Sequence, residues 1–214
     1  MEQIGLYISV PIACFRVPRA REYFETFPCP PPATVYGMLL SLVGEVNRRV
    51  HEGAEIAVAM LSELAYSTVL RTLWRVKDKG EGLGLGNNRR PDFQELLADV
   101  RFGVWVRRGT NETNEVSLAQ RLRNALDEPS SIRRFGGLSL GESTHMVDEV
   151  SEFKTAAAAR GEVLVASSDG DLSLPIWVDH VGSKTRWQQY SLVDADLTAD
   201  LPDGAWTTIT RPAY

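Results

Sequence analysis

The most constraining segment of this chain is a run of four prolines within five residues. Pro28, Pro30, Pro31 and Pro32 hold the backbone extended, because each ring fixes φ and restricts the residue before it. Thr34 follows where its hydroxyl could accept a free backbone N–H at a helix start. Beyond it, apolar residues repeat at helical spacing: Val35, Leu39, Leu42, Val43, Val46 and Val50. The segment predicts a stiff lead into a helix at residues 34–50, capped by Thr34.

Hydrophobic periodicity predicts most of the remaining elements. A period of two is typical of strands and is found at residues 4–10, 56–60, 64–77, 100–107, 144–151, 162–167 and 172–178. A helical period predicts a second helix at residues 114–127, which Pro129 ends. Residues 78–92 are rich in Gly, Asn and Arg and predict a flexible excursion. The last 35 residues predict irregular structure, with Trp187 and Trp206 as packing anchors.

The order of these elements predicts the fold class. Through residue 151 it is strand, helix, strand, strand, helix, strand, which is the ferredoxin-like order, with an insertion between the third strand and the second helix. We expect an α+β protein with a ferredoxin-like (RRM-like) β-α-β-β-α-β domain at residues 1–151. A small β-rich extension at residues 152–214 is expected to follow.

Composition excludes several classes of protein. The 214 residues are 43% hydrophobic, which is ordinary for a globular protein, and no apolar run is long enough to span a bilayer. The N-terminus lacks the features of a signal peptide, so we expect a soluble, cytoplasmic protein without a membrane partner. Two cysteines (Cys14 and Cys29) and three histidines (His51, His145 and His180) have no metal-type spacing, and no phosphate-binding loop or nucleophile elbow is present. No metal or cofactor is expected.

Charge is unevenly distributed along the chain. The net charge is −5, yet residues 71–108 carry nine basic against five acidic side chains. If the strands at 64–77 and 100–107 pair, their odd positions form one basic face around Trp105, made of Arg71, Arg75, Lys77, Arg101 and Arg107. Such a face would suit single-stranded RNA, which needs stacking surfaces and phosphate contacts. An ordinary solvated sheet face carries the same residue types, so the pattern leaves both interpretations open.

Two segments carry a family resemblance. The first is Pro30-Pro-Pro-Ala-Thr-Val-Tyr-Gly-Met-Leu39, followed by Gly44-Glu45, and the second is Arg134-Phe-Gly-Gly-Leu-Ser-Leu-Gly-Glu-Ser143. Together they resemble the Cas-five family of CRISPR-associated proteins, within the RAMP superfamily. Its members have a Pro-Pro-x-Thr-x-x-Gly lead into a first helix and a later Gly-rich loop. The resemblance covers residues 1–150 in order and spacing; the C-terminal 60 residues carry no such motif.

The resemblance implies a function. Members of this family sit at one end of a type I effector (Cascade) complex, used in RNA-guided antiviral defence, and bind the 5′ handle of CRISPR RNA. They contact a backbone subunit of the Cas-seven family and a large subunit; whether this chain also touches target DNA near the PAM is left undecided. Family members typically have a protruding thumb hairpin, for which residues 78–98 are the candidate here.

The residues offer a physical basis for that role. Gly136, Gly137 and Gly141 would let the backbone approach a phosphate, and Arg133 and Arg134 add charge beside them. The start of the first helix adds free N–H groups and the positive end of its dipole, so the handle is expected between that helix start and the loop at 133–141. Structural turns at the glycines and simple stiffening by the prolines remain alternatives. The nominated RNA-contacting residues are Arg16, Thr34, Tyr36, Gly37, Arg71, Arg75, Arg89, Arg90, Arg107, Arg133, Arg134, Phe135, Gly136, Gly137 and Ser139.

One branch of the family cleaves precursor RNA without a metal. That reaction needs a base near the attacking 2′-hydroxyl and a cation for the developing charge. Tyr36, His51 and Lys77 are available, but the Lys-His pair of the cleaving members is missing. We therefore expect a non-catalytic RNA-binding subunit with no catalytic residues. The alternative is a metal-independent endoribonuclease that uses Tyr36 and His51.

Overall fold

The computed structural model describes residues 2–18, 23–155, 159–179 and 182–212, so His180 lies outside the described residues. Within these described residues there are two α-helices, α1 (Pro32–Leu42) and α2 (Leu118–Asp127). The strands are β1 (Gln3–Ala13), β2 (Tyr23–Phe24), β3 (Glu55–Met60), β4 (Ala65–Trp74), β5 (Arg89–Arg107), β6 (Glu149–Glu152), β7 (Arg160–Ala166), β8 (Leu172–Asp179), β9 (Lys184–Asp196) and β10 (Thr207–Thr208). The expected mixture of helices and strands is confirmed.

The described strands form one sheet in the order β6-β1-β5-β3-β7-β9-β8, with β2 and β4 also on β5 and β10 on β3. Every pairing is antiparallel except that of β2 with β5. The alternating apolar residues of β1 are buried: Ile4, Leu6, Ile8 and Val10. They share one hydrophobic cluster with the buried faces of both helices. Among the described residues, neither helix has the length and apolarity needed to cross a membrane.

The first helix differs from the prediction at both ends. Pro31 is its N-cap and Pro32 its first residue, so the Thr34 hydroxyl makes no cap hydrogen bond. The helix ends at Leu42 rather than at residue 50, because Gly44 adopts a φ of +67°. The Gly44 N–H then donates to the Ser41 carbonyl and the Glu45 N–H to the Leu40 carbonyl, which is a Schellman motif. Val46, predicted on the core face, is consequently 95% exposed.

The condition set for the basic face, that the strands at 64–77 and 100–107 pair, is not met. β4 pairs with the first half of β5, from Ala65 opposite Ala98 to Trp74 opposite Arg89. The second half of β5 pairs instead with β1 and β3. β4 and residues 89–98 therefore form an extended hairpin whose tip is residues 75–88, and the insertion lies between β3 and the second half of β5. Apolar residues at the even positions of β4 are exposed, as at Leu70 and Trp74.

The tip of this hairpin is more ordered than its composition predicts. Asn88 is buried, and its side-chain N–H groups donate to the carbonyls of Asp78 (2.7 Å) and Glu81 (2.8 Å). Its side-chain oxygen accepts from the backbone N–H groups of Lys77 and Asp78. One asparagine thus satisfies backbone groups that no strand partner reaches.

The C-terminal region continues the same sheet. β7 and β8 lie close to their predicted positions, but the last 35 residues are not irregular, because they contain the 13-residue strand β9. β7 pairs with β3, and α1 contacts both β3 and β8. Trp177 on β8 packs against Tyr36 on α1 with 6.1 Å between ring centroids. Residues on both sides of position 151 share one hydrophobic cluster; the division into two domains stays a prediction.

Candidate functional site

A groove of about 640 Å³ separates α1 from the Gly-rich loop at residues 133–141. Its lining includes residues of α1, the segment that follows it, the Gly-rich loop and one residue of β8: Ala33, Thr34, Gly37, Met38, Leu40, Ser41, Gly44, Glu45, Val46, Arg48, Arg133, Arg134, Phe135, Ser139, Gly141 and Val178. The two motifs that are about 100 residues apart in the sequence therefore meet across one groove. Gly136 and Gly137 belong to the same loop without lining the groove.

One wall is the polar stripe of α1. Thr34, Gly37 and Ser41 recur at three- and four-residue spacing, which places them on one face of the helix. A Cβ at Gly37 would have no atom within 4 Å, so this glycine keeps the wall open. The groove thus follows the side of the helix and is not confined to the helix N-terminus, where the sequence placed the site.

Two glycines with positive φ fix the opposite wall. A side chain at Gly44 would collide with the carbonyl oxygen of Arg133, and one at Gly141 would collide with that of Cys14. Close backbone contact at these points holds the loop against the end of α1 and the end of β1. Gly44 and Gly141 therefore serve the packing of the loop against the rest of the fold.

Three arginines line the groove. Arg133 and Arg134 are exposed, and within the described residues neither has a hydrogen-bond or ion-pair partner. Arg48 donates from Nη1 to the Val178 carbonyl (2.6 Å) and lies 5.1 Å from the Trp177 ring, while its buried Nε has no partner among the described atoms. Burial lowers the pKa of Arg48, but an arginine remains protonated at neutral pH. Arg48 lies within the helix predicted at residues 34–50 and is not among the residues nominated for RNA contact.

The acidic residue in the groove is already paired. Arg121 of α2 donates from Nη1 to Glu45 at 2.7 Å, and the Asn47 N–H donates to the other carboxylate oxygen at 2.8 Å. These hydrogen bonds lower the pKa of Glu45. The Glu45 charge is therefore balanced from outside the groove, and Glu45 does not neutralise Arg133 or Arg134.

Tyr36 and His51 are not accessible to a ligand. Tyr36 is fully buried on the core face of α1, and its hydroxyl donates to the Arg48 carbonyl at 2.7 Å. His51 is also fully buried, with Nδ1 2.7 Å from a carboxylate oxygen of Glu112 and Nε2 3.0 Å from Nη1 of Arg121. His51 does not end the first helix, because α1 ends nine residues earlier, at Leu42. The nomination of Tyr36 for RNA contact does not fit this burial.

The four nominated arginines of the hairpin lie outside the groove. Arg71 donates to Gln94 and, at 3.2 Å, to Glu142, which ties the hairpin to the Gly-rich loop. Arg75 donates to the Asn87 carbonyl at the tip, and Arg90 forms an ion pair with Asp92 at 2.8 Å. Arg89 is exposed opposite Trp74. Arg71, Arg75 and Arg90 therefore make contacts that stiffen the hairpin, and Arg89 lies exposed on it.

Two further nominated arginines lie outside both the groove and the hairpin. Arg16 is exposed near the base of the hairpin, with its guanidinium 4.0 Å from the Phe24 ring centroid. Arg107 is held by Glu55 (2.6 Å) and stacks over Trp206 at 4.0 Å. Trp105, expected on an exposed basic face, is buried against Phe153 with 4.8 Å between ring centroids. The single basic and aromatic platform proposed from the sequence is therefore absent from the described structure.

The sequence is similar to a curated relative over most of its length. The CRISPR-associated protein Cas5 of Myxococcus xanthus (strain DK1622) is 44% identical over 189 residues, which cover 86% of this chain and 87% of that protein. The chain belongs to the Cas5 family, and the resemblance seen in the two motifs is confirmed. No protein-family profile matches the chain.

Solved structures share the fold. A chain of a CRISPR RNA-guided surveillance complex matches with a TM-score of 0.64 at 14% identity, covering 91% of this chain and 90% of that one. A second structure, described as a Cas protein, matches with a TM-score of 0.50 at 14% identity, covering 91% of this chain and 94% of that one. At these identities the likeness is one of fold.

Proposed function

We propose that this Cas5-family chain binds the 5′ handle of CRISPR RNA in a type I effector (Cascade) complex that guides antiviral DNA targeting. The observation that carries the proposal is the groove between α1 and residues 133–141, which is lined by Arg48 and by two arginines, Arg133 and Arg134, that have no acidic partner in the described structure. Phosphates of a single strand suit such a groove, because arginines form charge-assisted hydrogen bonds with phosphate oxygens. Cytoplasmic localisation is part of the proposal.

The proposal includes a ferredoxin-like core. Its four strands would be β6, β1, the second half of β5 and β3, which are adjacent in that order and antiparallel. In chain order the elements are β1, α1, β3, β5, α2 and β6, which matches β-α-β-β-α-β once β4 and the hairpin tip are set aside as the inserted thumb.

Salt-dependent binding to single-stranded repeat RNA tests the groove. We expect the Arg133→Ala, Arg134→Ala double variant to bind more weakly and to reduce the slope of log K against log salt by about 1.4, because each phosphate contact on a single strand contributes about 0.7. The matched control is Arg101→Ala with Arg160→Ala, which removes two exposed arginines paired with Asp99 and Asp194. Equal slopes for both double variants would argue against this groove as the RNA site.

We also propose that the subunit is not catalytic. Burial of Tyr36 and His51 supports this, since neither could reach a 2′-hydroxyl without local unfolding. Incubation of the purified chain with repeat RNA and no metal should leave the RNA intact. Specific cleavage within the repeat, abolished by His51→Ala in a chain that still folds, would favour the processing endoribonuclease instead.

The partners proposed are the Cas-seven-family backbone subunit and the large subunit. The hairpin offers an exposed apolar surface for one of them: Tyr66, Leu70, Trp74 and Phe93 lie on one face, as the pairing of Leu70 with Phe93 requires. Co-expression with the backbone subunit should give a complex that Leu70→Ser with Phe93→Ser weakens. Unchanged assembly would exclude this face as the contact.

A further inference from the structure

Phe135 is the most exposed large apolar side chain of the described structure. Its relative accessibility is 103%, so its ring projects fully into solvent at the edge of the groove. Within the described residues no aromatic ring contacts Phe135. A phenylalanine in this environment gains nothing for folding, because it buries no area.

The loop backbone is built to present this ring. Gly136 has a φ of +74°, and a Cβ there would have no atom within 4 Å, so the turn rather than packing requires glycine. Behind the tip, Leu138 and Leu140 are buried, and backbone hydrogen bonds join them to Val147 and His145. The ring therefore extends from an anchored base, which lowers the entropy lost when a partner binds.

The charges around Phe135 indicate the chemistry of that partner. Arg133 and Arg134 directly precede the ring and have no acidic partner in the described structure, while Glu45 across the groove is already paired with Arg121. Free cations beside a free aromatic face, on a chain of net charge −5, complement a polyanion that carries planar bases. A base inside a duplex is stacked on both sides, so the ring can accept only an unpaired base.

We infer that Phe135 is the stacking platform for one unpaired base of the RNA in the groove, with Arg133 and Arg134 on the flanking phosphates. The inference rests on the proposed RNA-binding function and adds the nucleotide contact that the arginines alone do not supply. Every base has a π face, so this contact contributes affinity without selecting a particular base. It also positions the strand, because one base is held at a fixed point between α1 and the loop.

A double-mutant cycle with the full-length chain tests the inference. The RNA probe is the single-stranded repeat-derived handle, with one abasic nucleotide moved through each position in turn. Phe135→Leu keeps an apolar side chain but removes the ring, Phe135→Trp keeps a ring, and Trp187→Leu is the control at an exposed aromatic of β9, outside the groove and the hairpin. We expect Phe135→Leu to weaken the binding of intact RNA by roughly 5- to 140-fold, since one stacked base contributes about 1–3 kcal/mol. Phe135→Trp should restore binding, and Trp187→Leu should leave it unchanged.

The position of the base follows from the cycle. At one nucleotide the abasic RNA should bind wild type and Phe135→Leu equally, because the stacking contact is already absent. If Phe135→Leu binds every RNA like wild type while the Arg133→Ala, Arg134→Ala variant is weakened, the RNA site stands and the stacking inference is wrong. If Phe135→Leu binds every RNA like wild type but no longer assembles into the complex, Phe135 is a protein contact. If the arginine variant also binds like wild type, the proposed function itself fails.

Discussion

At the scale of single residues, Tyr36 and Phe135 show how burial separates two residues of similar chemistry. Both are aromatic residues of the family motifs, and both were nominated for RNA contact. Tyr36 faces the core from α1 and is fully buried, whereas Phe135 is fully exposed on the opposite wall. Residue type alone could not distinguish them, because an aromatic ring suits a core and a stacking site equally well.

Tyr36→Phe should lower the stability of the protein and leave RNA affinity unchanged. The substitution leaves the partly buried Arg48 carbonyl without its donor, which costs about 1 kcal/mol in the free energy of unfolding. Urea denaturation measures this cost, and Tyr66→Phe, at an exposed tyrosine, is the control. Weaker RNA binding with unchanged stability would reverse the assignment of Tyr36 to the core.

Cys29 should make the protein less stable in alkali. Burial, followed by the charges of Glu162 and Asp171, raises the pKa of Cys29 from its ordinary 9.0 to about 12. Below pH 9 both folded and unfolded chains keep the proton; between pH 9 and 12 the unfolded chain ionises first. Stability should therefore fall as pH rises through this window, by up to about 1.4 kcal/mol per pH unit.

Urea denaturation of the wild type and Cys29→Ala at pH 8, 9 and 10 measures the contribution of this thiol. The variant should show a shallower loss of stability above pH 9, whatever its stability at pH 8. Parallel curves for the two proteins would mean that the Cys29 thiol ionises equally well in the folded chain.

At the scale of elements, the hairpin shows what strand periodicity leaves open. The alternation at residues 64–77 correctly predicts a strand, but a period of two does not say whether the apolar face is buried or which strand lies opposite. β3 ends at Met60, and β4 begins at Ala65 on the same side of β5. Along one edge, β5 pairs first with β4 and then with β3. β4 therefore lies beyond the part of the sheet that the helices cover.

Replacing residues 75–88 with Asn-Gly should leave the fold intact. Trp74 and Arg89 are paired in register, so a two-residue turn can join them. The side-chain hydrogen bonds that Asn88 makes are confined to the tip, so we expect the free energy of unfolding to change by less than about 1 kcal/mol. In an assembled complex, the first base pairs between guide and target should be weaker in this variant if the wild-type tip wedges between nucleotides. An unfolded variant would contradict this independence of the tip.

At the scale of the whole molecule, α1 is shared by both halves of the chain. It contacts β3 from the first half and β8 from the second, and its residue Tyr36 packs on Trp177. Arg48, in the groove, donates to the Val178 carbonyl of the same strand. The second half therefore supports the groove, which the C-terminal sequence, lacking a recognisable motif, did not indicate.

Trp177→Ala should destabilise the whole protein. Trp177 is 4% exposed, and removing a buried tryptophan costs about 3–5 kcal/mol through lost transfer energy and the cavity left behind. Trp187→Ala on neighbouring β9 is the control, because that side chain is 42% exposed and its loss should cost far less. Thermal and urea unfolding should show one cooperative transition in both variants. Separate unfolding of residues 152–214 would indicate independent domains.

Local patterns in the sequence determined much of this protein. The alternation in β1, the amphipathic face of α2 and the two family motifs were sufficient for the element types, the family and the region of the candidate site. These features depend on residues near one another in the chain, where hydrophobic period and backbone chemistry act directly. Even the end of α1 was present as Gly44, although the hydrophobic repeat through Val50 obscured it.

Tertiary structure alone decided which faces are buried and which charges are paired. Arg71, Arg107 and Glu45 are engaged by partners 52 to 76 residues away, whereas Arg133 and Arg134 have none in the described structure. The availability of a charge depends on its neighbours in space, and strand register and loop packing bring these together from distant parts of the chain. The proline-led helix and the Gly-rich loop are local features; the groove between them exists because the folded chain packs Gly44 against Arg133.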